Sequence, residues 1–291
     1  MDTAQGPRLS VIIVNWNAGD ELRACLASLY THSPASPWEV IVVDNASHDG
    51  SASAAADAHP DLRLIANPTN RGLAAGNNQG ILAARGDLLL ICNPDVEFHP
   101  GAVDALVAAM SRHPKAAFIV PRLTHTDGSP QASAGDLPSI TEAIRGRRAS
   151  RHADATSGFW WDGWAHDEER QIGRGAECAY LVRREAVVEV GLQDERFALE
   201  WEGIDWAARV ADAGWEVWFT PDAVVVHHGG RSIRQVQPRW VFRSHLGMYR
   251  YFAKRRPILR LVLAPIIALR GALKMAELVK TGDVYTSGLR G

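Results

Sequence analysis

Asp95 and His227 are the two side chains whose type and setting first suggest chemistry. Asp95 lies in the stretch Leu88–Phe98, written Leu-Leu-Leu-Ile-Cys-Asn-Pro-Asp-Val-Glu-Phe. Five apolar residues there fit a buried strand, and Pro94, which has no N–H, stops the ladder. A carboxylate is thereby presented at the carboxyl end of a central strand, where open α/β sheets place their ligand chemistry. The plainer alternative is an Asx-Pro turn ahead of the helix that Pro100-Gly101 introduces. His227 ends another apolar strand and precedes His228-Gly229-Gly230, where glycines permit close approach of a ligand. Hard divalent cations take carboxylate and phosphate oxygens together, and Mn²⁺ also accepts imidazole, so Asp95 and His227 are candidate ligands of Mn²⁺ or Mg²⁺. Successive side chains of an extended segment face opposite ways, so only one of His227 and His228 is expected to serve. A purely structural strand-end histidine is the competing explanation.

A second group, Glu200-Trp201-Glu202-Gly203-Ile204-Asp205-Trp206, places acids at the mouth of an expected helix. Either Asp205 caps that helix, or one carboxylate takes a proton from an incoming hydroxyl, a role worth typically 10²–10⁴-fold in rate. Polar residues also collect where the early strands should end: Asn15 and Asn17, then Asp44, Ser47 and Asp49, then Asn70, Arg71 and Gly72, then Asn93 and Asp95. If those strands are neighbours, these residues line one crevice suited to a nucleotide. Asp44 is best placed to accept hydrogen bonds from a uracil or thymine imide or from ribose hydroxyls, unless it merely caps the next helix. Neither GxGxxG nor GxxxxGK[ST] occurs, which disfavours a dinucleotide fold or a P-loop.

The elements that must position these residues alternate. Leu9–Val14, Trp38–Val43, Leu62–Ala66 and Leu88–Cys92 are expected strands, with helices over Asp20–Tyr30, Ser51–His59 and Leu73–Arg85 between them. That rhythm predicts a parallel sheet with right-handed crossovers. A helix over Gly101–Arg112 and a strand over Ala116–Pro121 follow. Residues 124–172 form an expected irregular insertion with an aromatic knot at Phe159, Trp160, Trp161 and Trp164, and the three tryptophan rings would stack on sugars or anchor the insertion. Ala176–Arg183 is an expected strand, Arg184–Val190 a short helix, Asp205–Ala213 a helix closed by Gly214, and Trp215–Thr220 and Ala223–Val226 two short strands.

The totals bound the function. The 291 residues carry a formal charge of −2, which argues against nucleic-acid binding through bulk charge. Cys25, Cys92 and Cys178 are too widely spaced for a metal knuckle and suit reduced, buried thiols in a cytoplasmic protein. The first ten residues show no secretory pattern. Ile258–Val279 is apolar but interrupted by Arg260, Pro265, Arg270, Lys274 and Glu277, so a spanning helix is not expected. Arg250, Lys254, Arg255 and Arg256 precede an apolar set of Leu259, Val262, Leu263, Ile266, Ile267 and Leu273. Such a tail suits a lean on the anionic inner face of the plasma membrane, or packing on the main domain or against a second copy in a homo-oligomer.

Five motifs occur in order: Asp-Asn-Ala-Ser-x-Asp-Gly-Ser from Asp44, Asn-Arg-Gly-Leu-Ala-Ala-Gly-Asn-Asn-Gln-Gly-Ile from Asn70, Asn-Pro-Asp-Val from Asn93, Glu-x-x-Asp-Trp from Glu202, and Val-His-His-Gly-Gly-x-Ser from Val226. With them the chain resembles family 2 glycosyltransferases of the GT-A fold, nearest to the rhamnosyltransferase-like branch, from about Leu9 to Ser232. The resemblance implies a GT-A-type Rossmann-like α/β fold with a mostly parallel central sheet flanked by helices. Residues 1–236 would form the catalytic domain and residues 237–291 a helical, basic, amphipathic extension. It also implies a dTDP- or UDP-linked nucleotide-diphospho-sugar donor, a divalent metal, and transfer with inversion to a saccharide or polyprenyl-linked acceptor in cell-surface polysaccharide biosynthesis. Carried over by position, Asn15, Asn17, Asp44, Ser47, Asn70, Gly72, Asn77, Asn93 and Asp95 would hold the nucleotide sugar. Asp95 would be the remaining carboxylate of the DxD metal motif and His227 its histidine partner.

Two positions depart from the family pattern. Glu-Asp-x-Asp is usual where this chain has Glu202-Gly203-Ile204-Asp205, so the carboxylate most often assigned as base is missing. Glu202 is then the expected base, with Asp205 orienting it or capping the helix; the alternative is a silent nucleotide-sugar-binding partner subunit. Glu177-Cys178 stands where a Ser-Gly pair is frequent, which bears on the acceptor. A nucleotidyltransferase would share the crevice but lacks its Gly-rich basic signature near the N-terminus.

Overall fold

A computed structural model describes residues 8–141, 158–161, 163–197, 201–229 and 237–281. Glu200, Gly230 and Ser232, named above, lie outside the described residues. Four parallel strands form first: β1 (Leu9–Asn15), β2 (Trp38–Asp44), β3 (Arg63–Ala66) and β4 (Leu88–Cys92), in the order β3-β2-β1-β4. Their crossovers are α1 (Asp20–Thr31), α2 (Ser51–Ala58) and α3 (Leu73–Ala83). The runs lack strict alternation of apolar and polar residues because both faces are covered. Leu9, Val11 and Ile13 of β1, with Val40 and Val42 of β2, pack against Leu22, Cys25, Leu26 and Leu29 of α1. Ile12, Val14, Ile41 and Val43 enter the opposite core layer.

The small-residue sequence of α3 has a steric cause. A Cβ at Gly76 would stand 2.8 Å from a Val14 methyl, and one at Gly80 would overlap Ile12. Glycine one turn apart lets this helix lie directly on β1.

The sheet continues through β5 (Val96–Phe98), β6 (Ala116–Thr124), β11 (Ala179–Arg183) and β12 (Glu216–His227), giving the path β3-β2-β1-β4-β11-β6-β12-β5. β11 is antiparallel to β4 and β6, and β12 is parallel to β6, so all strands on the path except β11 and β5 point one way. Helix α4 (Ala102–Arg112) joins the layer of α1, while α5 (Arg184–Val190) and α6 (Glu202–Asp212) join the other.

Three expectations are adjusted. Trp215–Thr220 and Ala223–Val226 are one strand, β12, whose pairing with β6 shifts register between Thr220 and Val224, around Pro221. β11 begins at Ala179, leaving Glu177 and Cys178 in the approach loop. Helix α6 begins at Glu202 and Asp205 does not cap it; Gly214, with φ +83°, ends it as expected, Trp215 N–H donating to Val210 O.

The described part of the insertion is organised rather than irregular. β7 (Pro130–Gln131) pairs with β6, β9 (Arg170–Ile172) with β12, and β8 (Ala134–Gly135) with β10 (Arg174–Gly175). Trp161 and Trp164 are buried, Trp164 edge-on to Phe219 at 4.7 Å, so these two rings anchor the insertion and are not presented to a sugar.

Helices α7 (Gln237–Arg255) and α8 (Arg260–Thr281), joined by the 3₁₀ turn Pro257–Leu259, pack on α6 through Trp201, Ile204, Met248, Tyr251, Phe252 and Leu263. Lys254 and Arg255 of α7 pair with Asp205 and Asp212 of α6 at 2.8 and 2.7 Å. Leu263 and Ile267 belong to this core, correcting their expected place on an apolar surface. Ile258, Leu261, Val262, Ile266, Leu269 and Leu273 are exposed instead. Among the described residues no helix is long and apolar enough to cross a membrane.

Candidate active site

β1, β2 and β4 end at one edge of the sheet, with Asn15 opposite Asp44 and Ile13 opposite Cys92. Because β1 lies between β2 and β4, the crevice opens where strand order reverses. Antiparallel β11 brings Glu177 and Cys178 to that edge, and the Asn93 N–H donates to Cys178 O at 2.8 Å. β12 delivers His227 to it as well. After Asp95 the chain turns back as β5, which pairs Val96 with His227, while the His228 N–H donates to Asp95 O at 3.0 Å.

This pairing sets Nε2 of His227 3.5 Å from Oδ2 of Asp95, each side chain 13% exposed. The separation is too long for a good hydrogen bond, and Asp95 Oδ1 is buried with no hydrogen-bond partner among the described residues. Nδ1 of His227 lies 3.1 Å from Oε1 of Gln131 on β7. In the tautomer that donates Nδ1–H to that oxygen, the Nε2 lone pair faces a carboxylate, an arrangement that suits an intervening cation. His228 turns to Glu97, 2.5 Å away. Among the described residues no cluster of three or more His, Cys, Asp or Glu could hold a metal. Asp95 and His227 supply one carboxylate and one imidazole, donors that would suit an Mn²⁺ or Mg²⁺ ion completed by phosphate oxygens and water.

The Asp44 loop is built by Asn15, which is fully buried. Asn15 Nδ2 donates to Asp44 Oδ1 at 2.8 Å, Ser51 Oγ at 2.9 Å and Ser47 Oγ at 3.1 Å. Asp44 also accepts from the Ser47 hydroxyl and N–H, an Asx turn rather than a helix cap. Asn17, at φ +52°, gives its N–H to Ser47 Oγ and accepts from the His48 N–H. The crevice wall is thus a preformed network in which Asn15 and Ser47 hold Asp44. Asn70 accepts from the Gly72 N–H, and Gly72 O accepts from Asn45 Nδ2, fixing the turn into α3 on the same wall.

Asn77 is buried on α3 and donates to Gln193 Oε1 at 3.0 Å, and Gln193 Nε2 donates to the Tyr180 hydroxyl at 2.9 Å. Burial, then the charges of Glu177 and Glu202, push the Tyr180 phenol well above its ordinary pKa. Those two carboxylates therefore lie close to one buried ring. Glu202 is 0% exposed. Asp205, 1% exposed, is bound by Arg209 at 3.0 Å and by Lys254 at 2.8 Å, turned toward α7 rather than the crevice. The expected base and its orienting partner are therefore enclosed. Glu177, which patterning marked only as a departure, is partly exposed, and its Oε2 accepts the Gly203 N–H at 3.0 Å. For Gln131, Gln193 and Tyr180 no sequence signal exists; they are placed by tertiary pairing.

Cys25, Cys92 and Cys178 are free and buried behind Asp95. Burial and then the Asp95 charge hold the Cys178 thiol well above its usual pKa, so this thiol stays neutral.

The family model for glycosyl transferase family 2 matches residues 10–163. The N-acetylglucosaminyl-diphospho-decaprenol L-rhamnosyltransferase of Mycobacterium tuberculosis is 33% identical over 291 aligned residues, 91% of this chain and 92% of that protein. Glycosyltransferase AglE of Haloferax volcanii is 24% identical, over 77% of this chain and 68% of its own. Among solved structures, the mannosyltransferase PcManGT of Pyrobaculum calidifontis, in complex with GDP-Man and Mn²⁺, superposes with a TM-score of 0.58 at 20% identity, covering 98% of this chain and 79% of that one. GalNAc-T7 with UDP, GalNAc and Mn²⁺ gives 0.56 at 18%, covering 77% and 44%. These likenesses show a shared fold, GT-A, and with the family match and the extended identity they establish that the chain belongs to glycosyl transferase family 2.

Proposed function

We propose that this chain is a metal-dependent inverting glycosyltransferase that moves a sugar, L-rhamnose in the best-supported case, from a dTDP- or UDP-linked donor to a lipid-linked saccharide. The observation that carries the metal-dependent reading is the Asp95–His227 gap, with a buried carboxylate oxygen that has no hydrogen-bond partner among the described residues, at the mouth of a nucleotide-type crevice. The donor sugar and the acceptor class follow the activity named for the mycobacterial relative.

In this account the Asp44 loop, held by Asn15 and Ser47, accepts hydrogen bonds from the nucleoside, and Asn93 and the Asn70–Gly72 turn border the donor. Asp95 and His227 hold the divalent ion, which when bound neutralises charge on the departing diphosphate. The acceptor oxygen bonds to the anomeric carbon from the face opposite the diphosphate, and the nucleoside diphosphate leaves with the bonding electrons.

The acceptor class agrees with the exposed apolar row from Ile258 to Leu273. Flanked by Arg255, Arg256 and Arg260, it suits a lean on an anionic leaflet at the inner face of the membrane. The test is nucleoside diphosphate release from dTDP-rhamnose with a polyprenyl-diphospho-N-acetylglucosamine acceptor and Mn²⁺ or Mg²⁺. Turnover that chelation abolishes supports the proposal. Donor binding with no turnover on any lipid-linked acceptor points instead to a silent partner subunit, and pyrophosphate release to nucleotidyl transfer.

A further inference from the structure

Within the transferase reading above, we infer that Glu177 is the general base, a carboxylate supplied from the approach to β11 where helix α6 offers only Gly203. The reaction needs a carboxylate on the surface of the crevice. Glu202 is enclosed, and Asp205 is enclosed and doubly ion-paired. Asp44 and Asp49 are engaged by their own loop and its neighbours, Asp49 accepting from the Gly19 N–H and from Ser51, and Asp95 faces His227. Glu177 remains: it is partly exposed and stands at the same sheet edge, beside Asn93.

Its position is fixed from both sides. The Ala176 N–H donates to Ser133 O at 2.9 Å, and Cys178 O accepts from the Asn93 N–H at 2.8 Å. The carboxylate is then aimed by the Gly203 N–H in the first turn of α6, 3.0 Å from Oε2. A Cβ built at Gly203 would overlap the Glu177 Cδ and crowd its Oε2 and Cγ. The volume a side chain at 203 would take is therefore filled by the Glu177 carboxylate. Gly203 and Glu177, far apart in the chain, thus meet at one point, where a loop-borne carboxylate stands in the space a helix-borne side chain would need.

In the step this implies, Glu177 takes the proton of the acceptor hydroxyl as its oxygen bonds to the anomeric carbon. The bond from that carbon to the diphosphate breaks, and Glu177 ends protonated.

The test compares wild type with Glu177→Gln, Glu177→Gly and Glu177→Gly/Gly203→Asp. Two readouts are taken: nucleoside diphosphate release from dTDP-rhamnose, with the lipid-linked acceptor or with water, and the melting shift produced by dTDP-rhamnose plus Mn²⁺. Expected are a fall in turnover of about 10²–10⁴-fold in Glu177→Gln with the melting shift retained, and at least a tenfold recovery of the double variant over Glu177→Gly. Turnover of Glu177→Gln within threefold of wild type overturns the assignment. So does loss of its melting shift together with turnover, or a folded, donor-binding double variant that shows no recovery. If Glu177→Gln does not fold, the double variant decides alone. A wild type that is stabilised by donor and Mn²⁺ yet releases no diphosphate defeats the transferase reading and this assignment with it.

Discussion

His227 Nε2 and Asp95 Oδ2 stand 3.5 Å apart because β5 reverses immediately after Asp95 and pairs with the end of β12. The third member of the arrangement is Gln131, whose Oε1 lies 3.1 Å from His227 Nδ1 and fixes which nitrogen faces the carboxylate. Gln131→Leu is expected to weaken Mn²⁺ binding about 10–100-fold while leaving the unliganded melting temperature near wild type. Isothermal titration with Mn²⁺ in the presence of nucleoside diphosphate checks this, and unchanged affinity would show that His227 needs no orienting partner.

Asn15 is the keystone of the nucleoside wall, donating to Asp44, Ser47 and Ser51 from a fully buried site. Asn15→Ala is expected to cost about 1–3 kcal/mol of stability, because three acceptors lose a donor that water does not readily replace. Denaturant unfolding measures the cost. Donor affinity should fall with it, whereas Asn77→Ala, altering a buried network on α3, should destabilise without changing affinity for a nucleoside diphosphate.

Acid stability should depend on Glu169. The Arg112 guanidinium, and His113 after it, hold its carboxyl at about 2 in the folded protein, against an ordinary value of 4.5. A carboxylate depressed on folding stabilises the native state above its unfolded pKa, and that contribution is lost as pH falls from about 4.5 through 2. Glu169→Gln should therefore flatten the decline of melting temperature over this window. An identical acid limb in variant and wild type would contradict the assignment.

The exposed row on the 3₁₀ turn and α8 predicts association with anionic vesicles. Leu261→Ser/Leu269→Ser should reduce co-sedimentation with phosphatidylglycerol vesicles several-fold with folding intact, since both side chains are exposed. Deleting α8 is a poorer probe, because Leu263 and Ile267 help form the core beneath it. Equal sedimentation of variant and wild type would remove the membrane from the account.

The strand-helix rhythm of the first half was legible because each strand is an apolar run ended by turn formers, as at Asp44-Asn45 and Asn93-Pro94-Asp95. The carboxyl-edge residues Asn15, Asp44, Asn93 and Asp95 could be collected because parallel topology brings strand ends together whatever their separation in sequence. What patterning could not supply was direction within the second half. Nothing local in Ala179–Arg183 says that β11 inserts antiparallel between β4 and β6, and that insertion is what carries Glu177 to the crevice. Likewise Asp205 looks catalytic in one dimension, but Lys254, 49 residues further along the chain on α7, claims it. Nor does the motif that holds Asn77 show its hydrogen bond to Gln193, 116 residues away.

The most direct test of the central claim measures stabilisation of the full chain by dTDP-rhamnose with and without Mn²⁺, in wild type, Asp95→Asn and His227→Ala. At a donor concentration of 100 times Kd, binding adds about 2.7 kcal/mol to native stability. Mn²⁺ is expected to supply much of that gain in wild type and little of it in either variant, while the metal-free response to nucleoside stays unchanged. Equal Mn²⁺-dependent stabilisation of all three proteins would contradict a cation held between Asp95 and His227.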